Sequence, residues 1–227
     1  MPGFTDIIGQ KRPIRLLQIF LRNATLPHAL LFTGIAGIGK RFTAKAVAMA
    51  LNCSQSRDGA QRVEACGRCQ TCRKIIANSH PDIIQIGPQG NTLRIDQIRK
   101  LLGLLAMKPH SAKHRVVIIA DSHTLNLEAA NALLKVLEEP PANSTLILTA
   151  LQKSDLLPTI LSRCRHIPFQ PIDEKNLTAY LTATWHVDPA IAEKAAAMAA
   201  GSLVRAEQMT DTRWHRQRQW VIRAAGL

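Results

Sequence analysis

Apolar and polar positions in this chain follow two alternating rhythms. Short runs that are almost wholly apolar predict strands: Leu30-Leu31-Phe32-Thr33, Ile83 to Ile86 (IIQI), Arg115 to Ala120 (RVVIIA), Thr145 to Ala150 (TLILTA) and His166 to Phe169. Runs without alternation are expected where both faces of a parallel sheet are covered. Between them the period is helical. Lys40 to Leu51 is rich in Ala, Ile95, Ile98, Leu101, Leu102 and Leu105 recur on one face, and Asn126 to Glu138 stops at Pro140-Pro141. This βαβ order predicts an α/β domain with a doubly wound parallel sheet over residues 1–170. Beyond Pro171 the strands cease. Asp173 is placed to cap one helix, Asp188-Pro189 opens an Ala-rich second that Gly201 ends, and Ser202 can cap a third. A small all-α domain over 171–227 is therefore expected.

The turn after the first strand carries chemistry. Gly34-Ile35-Ala36-Gly37-Ile38-Gly39-Lys40 fits G-x-x-x-x-G-K between a strand and a helix. In that context glycines let backbone amides face a phosphate and the lysine reaches its oxygens. Gly34, Gly37, Gly39 and Lys40 are the candidate phosphate-binding residues; a ligand-free turn is the plainer alternative. The next residue is Arg41, where a working loop has the Ser or Thr that ligates magnesium. At the end of the Arg115 strand, where an Asp for the metal and a Glu for the water are expected, stand Ala120 and Asp121. Phosphoryl transfer depends on placing that ion and that water. The expectation is no Mg²⁺ site, no useful hydrolysis, and at most weak binding of ATP or another nucleotide.

The chain has 227 residues with 46% apolar, enough for a packed core, and five cysteines. No apolar run approaches the ~18 residues of a membrane span, and the first twelve residues carry no signal-peptide pattern. A cytoplasmic chain without a membrane partner is expected, and there clustered thiols point to metal rather than disulfides. Cys53, Cys66, Cys69 and Cys72 share one polar insert (53–72). Four thiolates suit tetrahedral structural zinc and would fold an insert too small for its own core. Cys164 stands apart. A net charge of +13 from 29 Lys+Arg against 16 Asp+Glu points to a polyanion among the partners. Lys108, Lys113 and Arg115 read as a solvated basic stretch. Arg213, Arg216, Arg218 and Arg223 with Trp214 and Trp220 read as a helix packed on a neighbour, or as a stacking surface for single strands.

Two further segments carry a family resemblance. Ala130-Asn131-Ala132-Leu133-Leu134-Lys135-Val136-Leu137-Glu138-Glu139-Pro140-Pro141 and Leu157 to Cys164, ending Ser162-Arg163-Cys164, resemble the signatures of bacterial DNA polymerase III clamp-loader subunits. With the altered magnesium positions the chain is most similar to the delta-prime group, over about residues 4 to 206. The resemblance implies an AAA+ module with a five-stranded parallel sheet, a zinc insert after the phosphate-loop helix and a small helical lid. It also implies a C-terminal collar domain beyond this chain. Arg163 would act in trans as an arginine finger on ATP held by a neighbouring subunit; pairing with an acidic surface group is its structural alternative. Arg205, in Gly201-Ser202-Leu203-Val204-Arg205, matches the lid arginine that senses nucleotide, one position off the usual arrangement.

The implied function is that of a non-hydrolysing ring member of the clamp loader. Gamma/tau-like and delta-like subunits in a hetero-pentameric ring, the sliding clamp and primer–template DNA would be its partners. Any polymerase activity would belong to the holoenzyme, not to this chain. The alternatives are an ATP-hydrolysing gamma/tau-like subunit and a zinc-dependent DNA-binding module.

Overall fold

A computed structural model describes residues 3–55 and 63–210. They form two compact units: the described residues of Met1–Ile7, Lys11–Gly34 and Lys40–Phe169, and those of Ile8–Gln10, Ile35–Gly39 and Gln170–Leu227. In the first unit a 3-10 turn at Phe4–Asp6 precedes α1 (Lys11–Arg22), β1 (Ala29–Thr33), α2 (Lys40–Asn52) and α3 (Gln70–Ile76). There follow β2 (Ile83–Ile86), α4 (Ile95–Ala106), β3 (Arg115–Ile119), α5 (Leu127–Glu138), β4 (Ser144–Ala150), α6 (Pro158–Leu161) and β5 (Arg165–Pro168). The sheet is parallel throughout, in the order β2-β3-β4-β1-β5. This is the α/β P-loop arrangement of AAA+ modules, followed in the chain by an all-α region.

Every residue of β1, β3 and β4 is buried, which is why their sequences lack alternation. Leu31 of β1 lies opposite Leu148 of β4 and His166 of β5. Because β1 pairs with strands distant in the chain on both sides, its carboxyl end opens at a switch in strand order, where α/β sheets bind ligands. One face packs Leu31, Val117 and Leu148 against Leu101 of α4 and Leu133 and Leu137 of α5. Asn126 starts α5 by accepting a hydrogen bond from Ala129 N–H at 2.9 Å.

Arg115 departs from its expected place in a solvated basic stretch. It is 5% exposed, and Nη2 lies 3.6 Å from Oδ1 of Asp82. Nη1 donates to the carbonyls of Leu104, Leu105 and Met107 at 3.0, 3.3 and 2.9 Å. These carbonyls end α4 and need donors, and an arginine at the start of β3 supplies them. Asp82 accepts N–H bonds from His110, Ser111 and Ala112 at 2.8, 2.7 and 2.8 Å. Burial opposes ionisation of Asp82, but those three donors and the Arg115 guanidinium outweigh it and hold the carboxyl below its ordinary value. Lys108 and Lys113 are exposed.

The second unit contains α7 (Glu174–Trp185), α8 (Pro189–Met198) and α9 (Leu203–Thr210). Asp173 caps α7 through Asn176 N–H at 2.7 Å, and Asp188 caps α8 through Ala190 N–H at 2.9 Å. Leu177 and Leu181 meet Ala192, Ala195, Ala196 and Ala199, small side chains that bring the helices together closely. The arginine and tryptophan stretch from Arg213 to Arg223 lies outside the described residues.

Candidate nucleotide loop and metal centre

β1 delivers the chain to Gly34, whose N–H donates to the carbonyl of Leu151 at 2.9 Å. Lys40, the first residue of α2, is 7% exposed and donates from Nζ to the Gly34 carbonyl. Burial lowers its pKa to about 8, with Asp121 opposing that fall and Arg41 adding to it. Thr43, two positions after Arg41 and so on another face of α2 from it, is fully buried. Arg41 donates from Nη2 to the Asp121 carboxylate, closing an ion pair between the start of α2 and the end of β3. Asp121 has a left-handed backbone (φ 51°), and its N–H donates to Thr149 Oγ1 at 3.0 Å. Ala120, at the strand end, offers only a methyl group. The two places that hold a magnesium-dependent ATPase's ligands are therefore occupied by a methyl group and a guanidinium–carboxylate pair. The sequence reveals the missing hydroxyl, but not that its replacement reaches Asp121.

The crown of the glycine loop, Ile35–Gly39, belongs to the helical unit. The Gly37 carbonyl accepts from Leu203 N–H at 3.0 Å, and Ser202 Oγ accepts from Arg205 N–H at 3.3 Å. Two of the donors at the start of α9 are thus taken within the chain. Gly37 has φ +78°, and a Cβ there would lie 2.4 Å from Ser202 Oγ, so no larger residue fits. Arg205 sits exposed in the first turn of α9.

Arg163 follows the short α6. Its Nη2 donates to Glu138 Oε1 at 2.5 Å, and Nη1 donates to the Thr159 carbonyl at 2.8 Å and Ser162 Oγ at 3.2 Å. The side chain is 32% exposed. The acidic surface partner raised as its structural alternative is thus Glu138, from the other signature segment. Cys164 packs against the sheet core, and burial pushes its thiol up to about 12.

The insert brings Cys53, Cys66, Cys69 and Cys72 together, with all four sulfurs within 4.8 Å of one another. A tetrahedron with ~2.3 Å bonds has edges of roughly 3.8 Å, so small movements would seat zinc. Cys66 N–H points at Cys53 Sγ (3.4 Å), Cys69 N–H at Cys66 Sγ (3.3 Å) and Cys72 N–H at Cys69 Sγ (3.4 Å). Such bonds stabilise thiolates in the form a metal requires. Burial opposes ionisation of Cys69, but the Ser54 hydroxyl and the Cys72 N–H outweigh it and bring the thiol to about 6, whereas burial pushes Cys72 up. Cys69 also caps α3, the helix that sequence periodicity did not disclose because it is only seven residues long. The donor set and its geometry form a candidate structural zinc site. Outside the cluster, Glu64 accepts from Phe4 N–H at 3.1 Å and from Gln18 Nε2 at 3.4 Å, tying the insert to the N-terminal segment and α1.

A family profile described as DNA polymerase III, delta subunit, matches residues 9–173. The chain belongs to the DNA polymerase III clamp-loader subunits. Within this family it is 40% identical to the delta' subunit of Pseudomonas aeruginosa over 139 residues, 60% of this chain and 41% of that protein. It is 33% identical to the tau/gamma subunit of Haemophilus influenzae over 217 residues, 92% of this chain and 30% of that one. With the tau subunit of Bacillus subtilis it shares 36% over 174 residues, 77% and 30% of the two chains. The matched stretch thus spans only 30% to 41% of the length of these relatives. In fold it is similar to a gamma subunit-related protein of Thermotoga maritima (TM-score 0.52, 23% identity, covering 81% of this chain and 57% of that one). It is also similar to the RuvB Holliday junction branch migration motor of the same organism (TM-score 0.64, 16% identity, 92% and 63%). Among the described residues no helix is long and apolar enough to cross a membrane.

Proposed function

We propose that this clamp-loader subunit is of the delta-prime kind: a ring member that does not hydrolyse ATP and presents Arg163 to a nucleotide on an adjacent subunit. The observation that carries this reading is the Arg41–Asp121 pair beside Ala120. A guanidinium cannot ligate magnesium, and it neutralises the one carboxylate at the strand end. Lys40 and the glycines keep the form of a phosphate loop without the means to place a metal ion or an attacking water. Arg163, by contrast, is reachable at the surface and has the fixed donor fork that suits phosphoryl oxygens. In this reading the insert is a structural zinc module, Arg205 at most senses nucleotide, and the partners are other loader subunits, the sliding clamp and primer–template DNA.

A second reading, a gamma/tau-like ATPase, is favoured by relatives: several are tau or gamma/tau subunits, and three of them align over 92% of this chain. The two readings part on one assay. The purified subunit with ATP and magnesium should show no turnover above a blank, and Lys40→Ala should change nothing. Robust hydrolysis abolished by Lys40→Ala would overturn the proposal and install the ATPase. In a reconstituted loader, Arg163→Ala should depress hydrolysis; fingers of this kind are worth about 10³ to 10⁵ in rate at the site they serve.

A further inference from the structure

The two segments that carry the family signature meet in one contact, Arg163 with Glu138. Glu138 is the last residue of α5 and Glu139 its C-cap, with Lys135 the only basic residue of the last turn. Carboxylates are disfavoured at a helix C-terminus, where unpaired carbonyls already carry partial negative charge. Glu138 therefore favours a cation, and Arg163 supplies it. Both terminal nitrogens of the guanidinium are engaged within the subunit: Nη2 by Glu138, and Nη1 by the Thr159 carbonyl and Ser162 Oγ. Those are the nitrogens that fork onto a phosphate.

We propose that Glu138 is a latch on the finger, a positioning residue that stows Arg163 against its own subunit until a neighbour's triphosphate displaces it. The proposal rests on the trans-acting reading of Arg163 given above. The latch is releasable because of where it lies. The side chains are 32% and 48% exposed, whereas those of the Arg115–Asp82 pair are 6% and 3% exposed. Exposed pairs of this type hold by a factor of at most about five. A triphosphate brings several negative charges against the single charge of Glu138. Stowing reduces apparent affinity by the fraction of fingers that are free, so the latch raises the ATP concentration the ring needs without changing the chemical step.

The test is steady-state ATP hydrolysis by a loader reconstituted with this subunit as wild type, Glu138→Gln, Glu138→Asp, Arg163→Ala and the Glu138→Gln/Arg163→Ala double variant. Glu138→Gln should lower the half-saturating ATP concentration by about two- to five-fold with kcat undiminished. Glu138→Asp, which keeps the charge, should fall between Glu138→Gln and wild type. The double variant should match Arg163→Ala alone, because the latch has nothing left to hold. If Arg163→Ala depresses hydrolysis but Glu138→Gln leaves the ATP dependence unchanged, the latch fails and the finger stands. If Glu138→Gln lowers kcat as Arg163→Ala does, Glu138 aims the finger instead of stowing it, and the latch also fails. If Arg163→Ala has no effect, the trans-acting reading itself fails and takes the latch with it.

Discussion

The cysteine insert and the phosphate loop sit at opposite ends of α2, and both are loops whose chemistry needs a complete set of donors. The insert has kept all four sulfurs, gathered within 4.8 Å and furnished with N–H bonds that favour thiolates. The loop has kept its glycines and Lys40, but the hydroxyl and carboxylate that would seat magnesium are an arginine and an alanine. The contrast teaches that a backbone motif can serve the fold apart from any chemistry it carries. Gly37 is still required by its close approach to Ser202, whatever the loop binds. In the insert, Cys69 has a comparable second role as the N-cap of α3.

That contrast is open to attack, beginning where the effect is largest. Cys72→Ser should reduce zinc from about one per chain to near zero by elemental analysis, since structural sites of this type bind with on the order of 10–16 kcal/mol. Chelation of the wild-type protein should expose the insert and the Phe4–Glu64 contact to proteolysis. A metal-free protein with an intact, protected insert would erase the difference between the two loops.

Next in size is the role of ion pairs. Asp82→Ala leaves Arg115 buried without its partner and should cost about 3–5 kcal/mol in denaturant unfolding. Arg41→Ala removes a pair whose side chains are 56% and 34% exposed and should cost no more than about 1 kcal/mol. A cost for Arg41→Ala matching that of Asp82→Ala would make the Arg41–Asp121 pair part of the scaffold.

Acid offers a graded probe of the elements beside both loops. His80 lies between the insert's helix and β2, His114 donates to or accepts from Thr145 Oγ1, and His166 meets Thr33 Oγ1 at the end of β1. Burial lowers the pKa of each, with Asp82 partly opposing this at His80 and Lys153 reinforcing it at His166. Their unfolded forms bind protons first, so the stability they confer is complete above the ordinary value of 6.5 and is lost as pH falls through the lowered folded values. Thermal midpoints should decline from about pH 7 to pH 5, before Asp82, itself held low, begins to protonate. A midpoint unchanged over that range would refute this assignment.

Much of the fold was written locally. Wholly apolar runs marked the buried strands, and Asn126, Asp173 and Asp188 marked helix starts, because strand burial and N-capping depend on a few adjacent residues. The cysteine ligands were legible for the same reason: metal geometry constrains spacing. α1 was missed although its apolar residues recur at helical spacing between Lys11, Arg12, Arg15 and Arg22, a legible amphipathic signal; α3 and α6 are too short for a period to emerge. What tertiary structure alone decided were the charge partners. Arg41 found Asp121, Arg115 found Asp82 and Arg163 found Glu138, pairs separated by 80, 33 and 25 positions. A guanidinium on a long flexible stem can reach any acid the fold brings near, and no local pattern records which one that is.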